Sequence, residues 1–317
     1  MKNLSIIILS AIFLYSCDGL ETVIDLDIPE HNPVLVLNSS INADSNIRVF
    51  VSHSIDAFGN AYPISIDDAT VLLYEDNQFI DTLLPDFTDP KYYTYFTSDG
   101  FNSREDSILI HYYKSDFITQ ANKTYRLEVS HPMYPSVSSS TTTPSGVELN
   151  LLESNNPAGI EFSFNDDPSK ENFYRLRVLA HFSYESDGQI KSFTERIEFR
   201  SNDLSFPGDV PFDGFSFYGY RAIFEDALFN GSEKQISIEL VGAEEYLEEV
   251  DSIYIHFSEL SSDAYSYINS RDSQVNGGQA GIFGGEVTPV FSNVENGLGI
   301  FRSLNSQTVT VRNNLTE

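Results

Sequence analysis

The chain contains few of the residues that cross-link small domains or build metal sites. Cys17 is its only cysteine, so no disulfide can form within the chain, and structural thiolate metal sites are excluded. Tryptophan is absent, whereas the chain has 24 Phe and 18 Tyr. Aromatic residues at this density, spread through alternating segments, are typical of strands that pack in a core. We therefore expect packing alone to stabilise the fold.

Basic residues are also scarce. The chain has 18 Lys and Arg against 47 Asp and Glu, which gives a formal net charge of −29. Such a surface repels the phosphates of nucleic acids and anionic lipid headgroups. We expect no nucleic-acid partner, and attachment to a membrane would need something other than a basic surface.

A long hydrophobic segment is missing as well. The apolar run from Leu4 to Leu14 follows Lys2 and is much shorter than the roughly 20 residues of a membrane-spanning helix. It predicts a signal peptide over residues 1–16. The stretch from Leu14 to Cys17 resembles a lipobox, in which the cysteine is acylated and becomes the new N-terminus. Simple secretion, the alternative, fits less well because Leu14 and Ser16 do not match the small-residue cleavage rule. Cys17 is the predicted lipidation site.

Residues 17–33 are predicted to form the lipidated cysteine, a short tether and a possible first strand. The stretch from Thr22 to Ile28 has the period of two of a strand, since Thr22, Ile24, Leu26 and Ile28 alternate with Val23, Asp25 and Asp27. The tether from Asp18 to Glu21 can span at most about 14 Å. It would hold the following domain against the membrane.

The rest of the chain predicts an all-β fold of two tandem β-sandwich domains, immunoglobulin-like or transthyretin-like, over residues 34–143 and 144–317. Seven short alternating segments fill the first half, with a hairpin turn at Asp76-Asn77. The Ser/Thr run from Ser136 to Ser145 is the predicted boundary; the alternative is a last edge strand of the first domain. A separate strand is expected at Val287 to Phe291.

Two elements stand out in the second half. Alternate residues from Tyr174 to Tyr184 are apolar, and Asp187-Gly188 follows, which predicts a long hairpin with one buried face. One short helix is expected to begin near Ser262 and to end before Asn276-Gly277.

No pattern of catalytic or metal-binding residues is recognisable. The six histidines are scattered, without metal-ligand spacing. The run Asn165-Asp166-Asp167 with Glu171 offers oxygen ligands for calcium but lacks the EF-hand pattern. No nucleophile elbow or kinase-type signature occurs, and Cys17 is reserved for lipid. We predict a protein that is not an enzyme and has no cofactor.

Two stretches carry a family resemblance, Cys17 to Pro29 and Ser292 to Phe301. Together they resemble the Bacteroidota lipoprotein family called domain of unknown function 4249 (DUF4249). The resemblance implies an outer-membrane accessory protein of a TonB-dependent receptor, and therefore a partner and not a reaction. The expected function is a non-catalytic binding or accessory subunit of a TonB-dependent transporter complex, anchored at the cell surface or on the periplasmic face. The alternative is an independent glycan-binding or adhesive surface lipoprotein.

The partner-binding surface is predicted in the second domain, around the helix, the glycine-rich loop from Gly277 to Gly285 and the motif from Ser292 to Phe301. Ile282 and Phe283 lie among the glycines of that loop, where two apolar side chains can serve as an interface anchor. The alternative is that they cap the core of the second sandwich.

Overall fold

The computed structural model describes residues 31–56, 64–98, 103–207, 217–277 and 289–313. Cys17, Ile282 and Phe283 lie outside these ranges. Strands dominate the described residues, which confirms the predicted all-β class. The first half contains β1 (Leu35–Asn42), β2 (Asn46–His53), β3 (Thr70–Glu75), β4 (Gln78–Ser98), β5 (Ser103–Ile118), β6 (Thr124–His131) and β7 (Tyr134–Thr142).

The second half adds ten strands and two helices to the described part of the chain. In chain order these are β8 (Asn150–Leu152), β9 (Gly159–Asn165), β10 (Phe173–Ser186), β11 (Gln189–Ile197), β12 (Phe199–Ser201), β13 (Phe217–Gly219), β14 (Ala222–Glu225), β15 (Glu233–Leu240), α1 (Ala243–Tyr246), β16 (Ser252–Leu260), α2 (Ser262–Gly277) and β17 (Leu298–Asn313).

One large sheet runs through both halves of the chain. Its strand order is β11-β10-β16-β17-β1-β2-β5-β4-β3-β6-β7, and β14 also pairs with β10. The connection between the halves is the parallel pair of β1 and β17, which aligns Val36 with Leu298 and Asn42 with Leu304. Residues Pro33–Glu317 form one compact unit. The division into two domains at residues 143 and 144 stays a prediction.

The first half folds its part of the large sheet around a core of its own. Alternate residues of β1, β2, β3 and β6 are fully buried there, and β17 contributes Phe301. The predicted hairpin turn joins β3 to β4, with positive φ at both Asp76 and Asn77, as a type I′ turn requires. The sheet curves until β7 reaches the segment before β17, where Ser138 and Glu295 form a bridge.

The second half is a sandwich of two sheets. A smaller sheet, in the order β13-β12-β15-β9-β8, packs on the large one. Tyr174, Leu176 and Val178 of β10 have no exposed surface in the core between them, which confirms the predicted inward face. The turn of this hairpin has positive φ at Asp187 and Gly188, also as predicted.

The Ser/Thr run proved to be a strand and not a linker. Ser136 to Thr142 belongs to β7, at the edge of the large sheet, as the alternative reading expected of this run; the domain boundary itself stays a prediction. The inward hydroxyls of the run are buried but satisfied: Ser139 donates to the carbonyl of Asn293 at 2.9 Å, and Thr141 lies 3.0 Å from the Ser303 hydroxyl. Hydroxyls with such partners can replace apolar side chains inside a sheet.

Helix α2 begins where the sequence predicts, but its predicted end is wrong, because the helix continues through Asn276 to Gly277. Ser261 caps it, since its hydroxyl accepts from the amide of Ala264 at 3.2 Å. The helix packs on the face of the large sheet opposite the two cores, called here the outer face. Ala264 and Ile268 are buried against Phe173 and Leu260 there. The predicted strand from Val287 to Phe291 is wrong for its described part, because 289–291 has no strand structure.

Candidate binding surfaces

A two-stranded arm projects from the first half. In it, residues 91–98 of β4 pair with residues 103–110 of β5. The arm lies beyond the other strands, because β3 pairs only with residues 78–83 of β4 and β2 only with residues 113–118 of β5. An isolated two-stranded ribbon is marginally stable in water. We call this segment the β4–β5 arm. Contact with another surface would therefore add to its stability.

The β4–β5 arm exposes an apolar pair on one face. Tyr92 and Leu109 are cross-strand partners, and 72% and 42% of their surfaces are exposed. Tyr93 points to the opposite face and is 55% exposed. Exposed aromatic and aliphatic side chains placed side by side are typical of protein interfaces.

The hairpin of β10 and β11 forms a second projection. Beyond β16 it continues from Phe182 to Ser186 and returns from Gln189 to Phe193. Phe182 and Phe193 stack at 5.1 Å between ring centroids, and Phe193 and Tyr184 on this face are 46% and 51% exposed. Ile190, on the opposite face, is 82% exposed. The apolar face that is buried in the middle of β10 therefore reaches the surface at the tip.

A groove lies on the outer face between α2 and the β4–β5 arm. It encloses about 740 Å³, within the range of ordinary ligand sites. Four aromatic rings line it, from β2, β4, β5 and α2: Phe50, Tyr93, Tyr112 and Tyr267. Three cationic side chains line it as well: Arg48, Lys91 and Arg302. We call this site the outer groove.

The electrostatics of the outer groove differ from those of the whole chain. The described residues that line it include no carboxylate, although the net charge is −29. Asp89, outside the lining, lies 3.6 Å from Arg48 and 2.6 Å from Lys91. The Arg302 guanidinium lies 4.9 Å from the centre of the Tyr267 ring, and its Nε donates to the Ser40 hydroxyl at 3.3 Å. Burial and the nearby Arg271 and Arg221 lower the pKa of Arg302.

Further basic residues continue along the outer face beside the groove. Burial, together with Arg177 and Arg302, lowers the pKa of Arg175 to about 9. Arg175 donates to the Ser258 hydroxyl at 3.0 Å, and the buried Nε atoms of Arg175 and Arg177 have no hydrogen-bond partner among the described residues. His256 lies beside them and has a pKa lowered to about 4, chiefly by burial. This part of the molecule favours an anion.

The motif from Ser292 to Phe301 serves the fold. The Asn293 amide donates to the Phe301 carbonyl at 2.7 Å and accepts from its amide at 2.9 Å. The backbone amide of Glu295 donates to Ser138 at 2.8 Å, and Val294 is buried in the first core. A Cβ at Gly299 would lie 2.1 Å from the Leu37 carbonyl oxygen. These contacts within the protein account for the residues of the motif, so the motif does not need a partner protein to explain it.

Of the predicted partner surface, the structure describes the helix and the motif. Ile282 and Phe283 lie outside the described residues, so their role stays a prediction. Val275, near the end of α2, is 54% exposed. The sequence missed the β4–β5 arm and the outer groove. The run Tyr92-Tyr93 in a predicted strand was the available signal for the arm, whereas the groove collects residues from six elements that are spread along the chain.

The carboxylates of the candidate calcium run bind neighbouring protein groups. Asp166 accepts from the amide of Gly231 at 2.7 Å, and Asp167 from the amide and hydroxyl of Ser169 at 2.9 and 2.7 Å. Within the described ranges, no three His, Cys, Asp or Glu side chains are grouped as a metal site requires. Neither helix in the described part of the chain combines the length and hydrophobicity needed to cross a bilayer.

Comparison with known families identifies the family of the chain. The family described as Domain of unknown function (DUF4249) matches residues 21–310, which is nearly the whole chain. The protein therefore belongs to the DUF4249 family, as the two motif stretches predicted. A comparison with curated proteins found no match.

Proposed function

We propose that this protein is a non-catalytic outer-membrane lipoprotein that acts as an accessory subunit of a TonB-dependent transporter complex. Acylated Cys17 anchors it, and the folded part docks on the receptor. The observation that carries the proposal is the β4–β5 arm, because it presents Tyr92 and Leu109 beyond the body of the sheet. A projecting apolar pair on a marginal ribbon is suited to a protein partner.

The docking experiment uses the full-length, tagged protein purified from detergent-solubilised outer membranes. Tyr92→Ser combined with Leu109→Ser should remove a co-purifying TonB-dependent receptor while the melting temperature stays unchanged, because both side chains are exposed. Ile282→Ser with Phe283→Ser tests the second predicted contact in the same way. Met133→Ser, which is 76% exposed between β6 and β7 and outside the candidate surfaces, is the matched control.

The proposal fails if wild-type protein brings down no TonB-dependent receptor, or if every variant retains it. Loss of the receptor only in the Ile282/Phe283 variant would move the interface to the glycine-rich loop.

The anchor is tested separately by Cys17→Ala. Stable anchoring requires acyl chains, because the acidic surface repels anionic lipid. The variant should appear unprocessed or in the soluble fraction when membranes are sedimented. Normal processing with unchanged membrane association would contradict lipidation at Cys17.

A second candidate function, an independent glycan-binding surface lipoprotein, is favoured by the outer groove. Its aromatic rings and polar side chains form a site that needs no docked receptor. The two functions are compatible, because the groove and the Tyr92–Leu109 face use different sides of the arm.

A further inference from the structure

We propose that the outer groove binds an acidic carbohydrate, with Arg302 receiving the anionic group and the tyrosine rings packing against the sugar rings. This inference rests on the second candidate function and is independent of docking through the β4–β5 arm.

The charge of the ligand follows from the groove's electrostatics. Asp89 pairs with Arg48 and Lys91, whereas no described carboxylate lies within ion-pair distance of Arg302, whose neighbours are Tyr267 and Ser40. Arg126 gives the contrast: it also lies over a tyrosine, 4.1 Å from the centre of Tyr74, but it pairs with Glu128. An arginine fork held by a ring and lacking a carboxylate is suited to a carboxylate or sulfate from outside.

The shape of the ligand follows from the rings. A pyranose has an apolar C–H face and a rim of hydroxyls, so it needs aromatic surface and hydrogen-bonding groups together. Tyr93 and Tyr267 supply surface from the two walls, and the rings of Phe50 and Tyr112 lie 6.1 Å apart between them. Asn38 and the exposed Ser40 add hydrogen-bonding groups at the floor.

An acidic peptide is the rival occupant. Peptides in extended form commonly bind by adding a strand to a free edge. The floor strands offer no such edge: β1 lies between β17 and β2, and β17 lies between β16 and β1. At the floor, recognition must therefore use side chains, which favours a sugar over a peptide backbone. Residues 91–98 of β4, in the wall of the groove, pair only with β5, and the oligoglutamate probe below tests whether a peptide binds at that edge.

The test measures binding by isothermal titration calorimetry with the mature chain. The probes are oligogalacturonate and a sulfated oligosaccharide, their methyl-esterified or desulfated forms, and an oligoglutamate peptide of similar length. At least one acidic saccharide should bind, and removing its charge should weaken binding at least about tenfold. Raising the salt concentration should weaken it as well.

Variants then assign the site. Arg302→Gln and Tyr93→Ala should each weaken binding at least about tenfold. The affinity of Arg302→Lys should lie between those of wild type and Arg302→Gln. Arg126→Gln is the matched control and should bind normally. Tyr93 is largely exposed, so its loss leaves folding intact and keeps the test informative if Arg302→Gln misfolds.

Four results would overturn the inference: no binding of either acidic saccharide, equal binding of the uncharged forms, binding that neither variant weakens, or preference for oligoglutamate. If no acidic saccharide binds but the receptor still co-purifies, the accessory function is retained and only the groove proposal fails. If the saccharide binds but no receptor co-purifies, the groove proposal is retained and the accessory function fails.

Discussion

Val178 lies in the middle of β10 with no exposed surface. Val178→Asp puts an unpaired charge into the second core, so the free energy of unfolding should fall by about 3 to 5 kcal/mol. Ile190→Asp, on the exposed tip of the same hairpin, should change it by less than about 0.5 kcal/mol. Denaturant unfolding followed by circular dichroism measures both. If Val178→Asp unfolds like wild type, the inward face has been assigned wrongly.

His256 makes stability depend on pH. Its pKa is lowered to about 4 by burial and by Arg177 and Arg175, whereas an unfolded histidine has a pKa near 6.5. The unfolded state therefore binds the proton first, and stability falls as pH drops from about 6.5 towards 4. His256→Asn should reduce this fall by about 2 kcal/mol. Unfolding curves at several pH values test this, and parallel pH dependences for wild type and variant would contradict it.

At the residue scale, alternation predicted much of the burial but not all of it. Tyr174, Leu176 and Val178 are buried as their spacing indicates. Ser139 and Thr141 are equally buried, but a hydroxyl is accepted in a core only where a partner is near. Those partners, Asn293 and Ser303, are distant in sequence, so no local pattern could have revealed them.

At the scale of elements, Gly299 sets the start of β17. Its φ is +112°, and a Cβ there would collide with the backbone of Leu37. Gly299→Ala should therefore reduce stability by about 2 kcal/mol or more. Gly188 also has a positive φ but has no atom within 4 Å of its Cβ position, so Gly188→Ala should cost only about 1 kcal/mol. Thermal melts compare the loss of stability in the two variants. Equal losses would show that β17 approaches β1 less closely than the structure indicates.

Strand lengths were harder to predict than strand positions. Gln78 to Leu83 and Tyr92 to Phe96 are two of the seven separate strands that the sequence predicts in the first half. In the structure β4 runs through both, and the pairing with β5 shifts register between Asp86 and Lys91. Pro90 lies within this irregularity, where proline is tolerated, whereas Pro85 keeps Tyr113 as its register partner. The β4–β5 arm was missed because local alternation does not show that the two segments belong to one strand.

At the scale of the whole molecule, the continuous sheet was beyond sequence analysis. The parallel pair of β1 and β17 joins strands from opposite ends of the described chain, and no turn or spacing links them. The outer groove depends on the same pair, since Ser40 of β1 and Arg302 of β17 are register partners. The fold class could be predicted from local patterns, whereas the groove could not, because it exists only once distant strands meet.

The continuity of the sheet predicts that the two cores unfold together. β17 places Phe301 in the first core, while its Val309 and Val311 pack against the second. Neither core is complete without that strand. Calorimetry of the mature chain without its lipid should therefore show one transition with equal calorimetric and van't Hoff enthalpies.

Substitutions in either core sharpen this test. Leu37→Asp in the first core and Val178→Asp in the second should each lower the temperature of the same single transition, because unfolding of one core removes β17 from the other. The result that contradicts this is a pair of transitions, each shifted by only one of the two substitutions. It would show that residues 34–143 and 144–317 unfold as separate domains, and that the pairing of β1 with β17 contributes little to the stability of either.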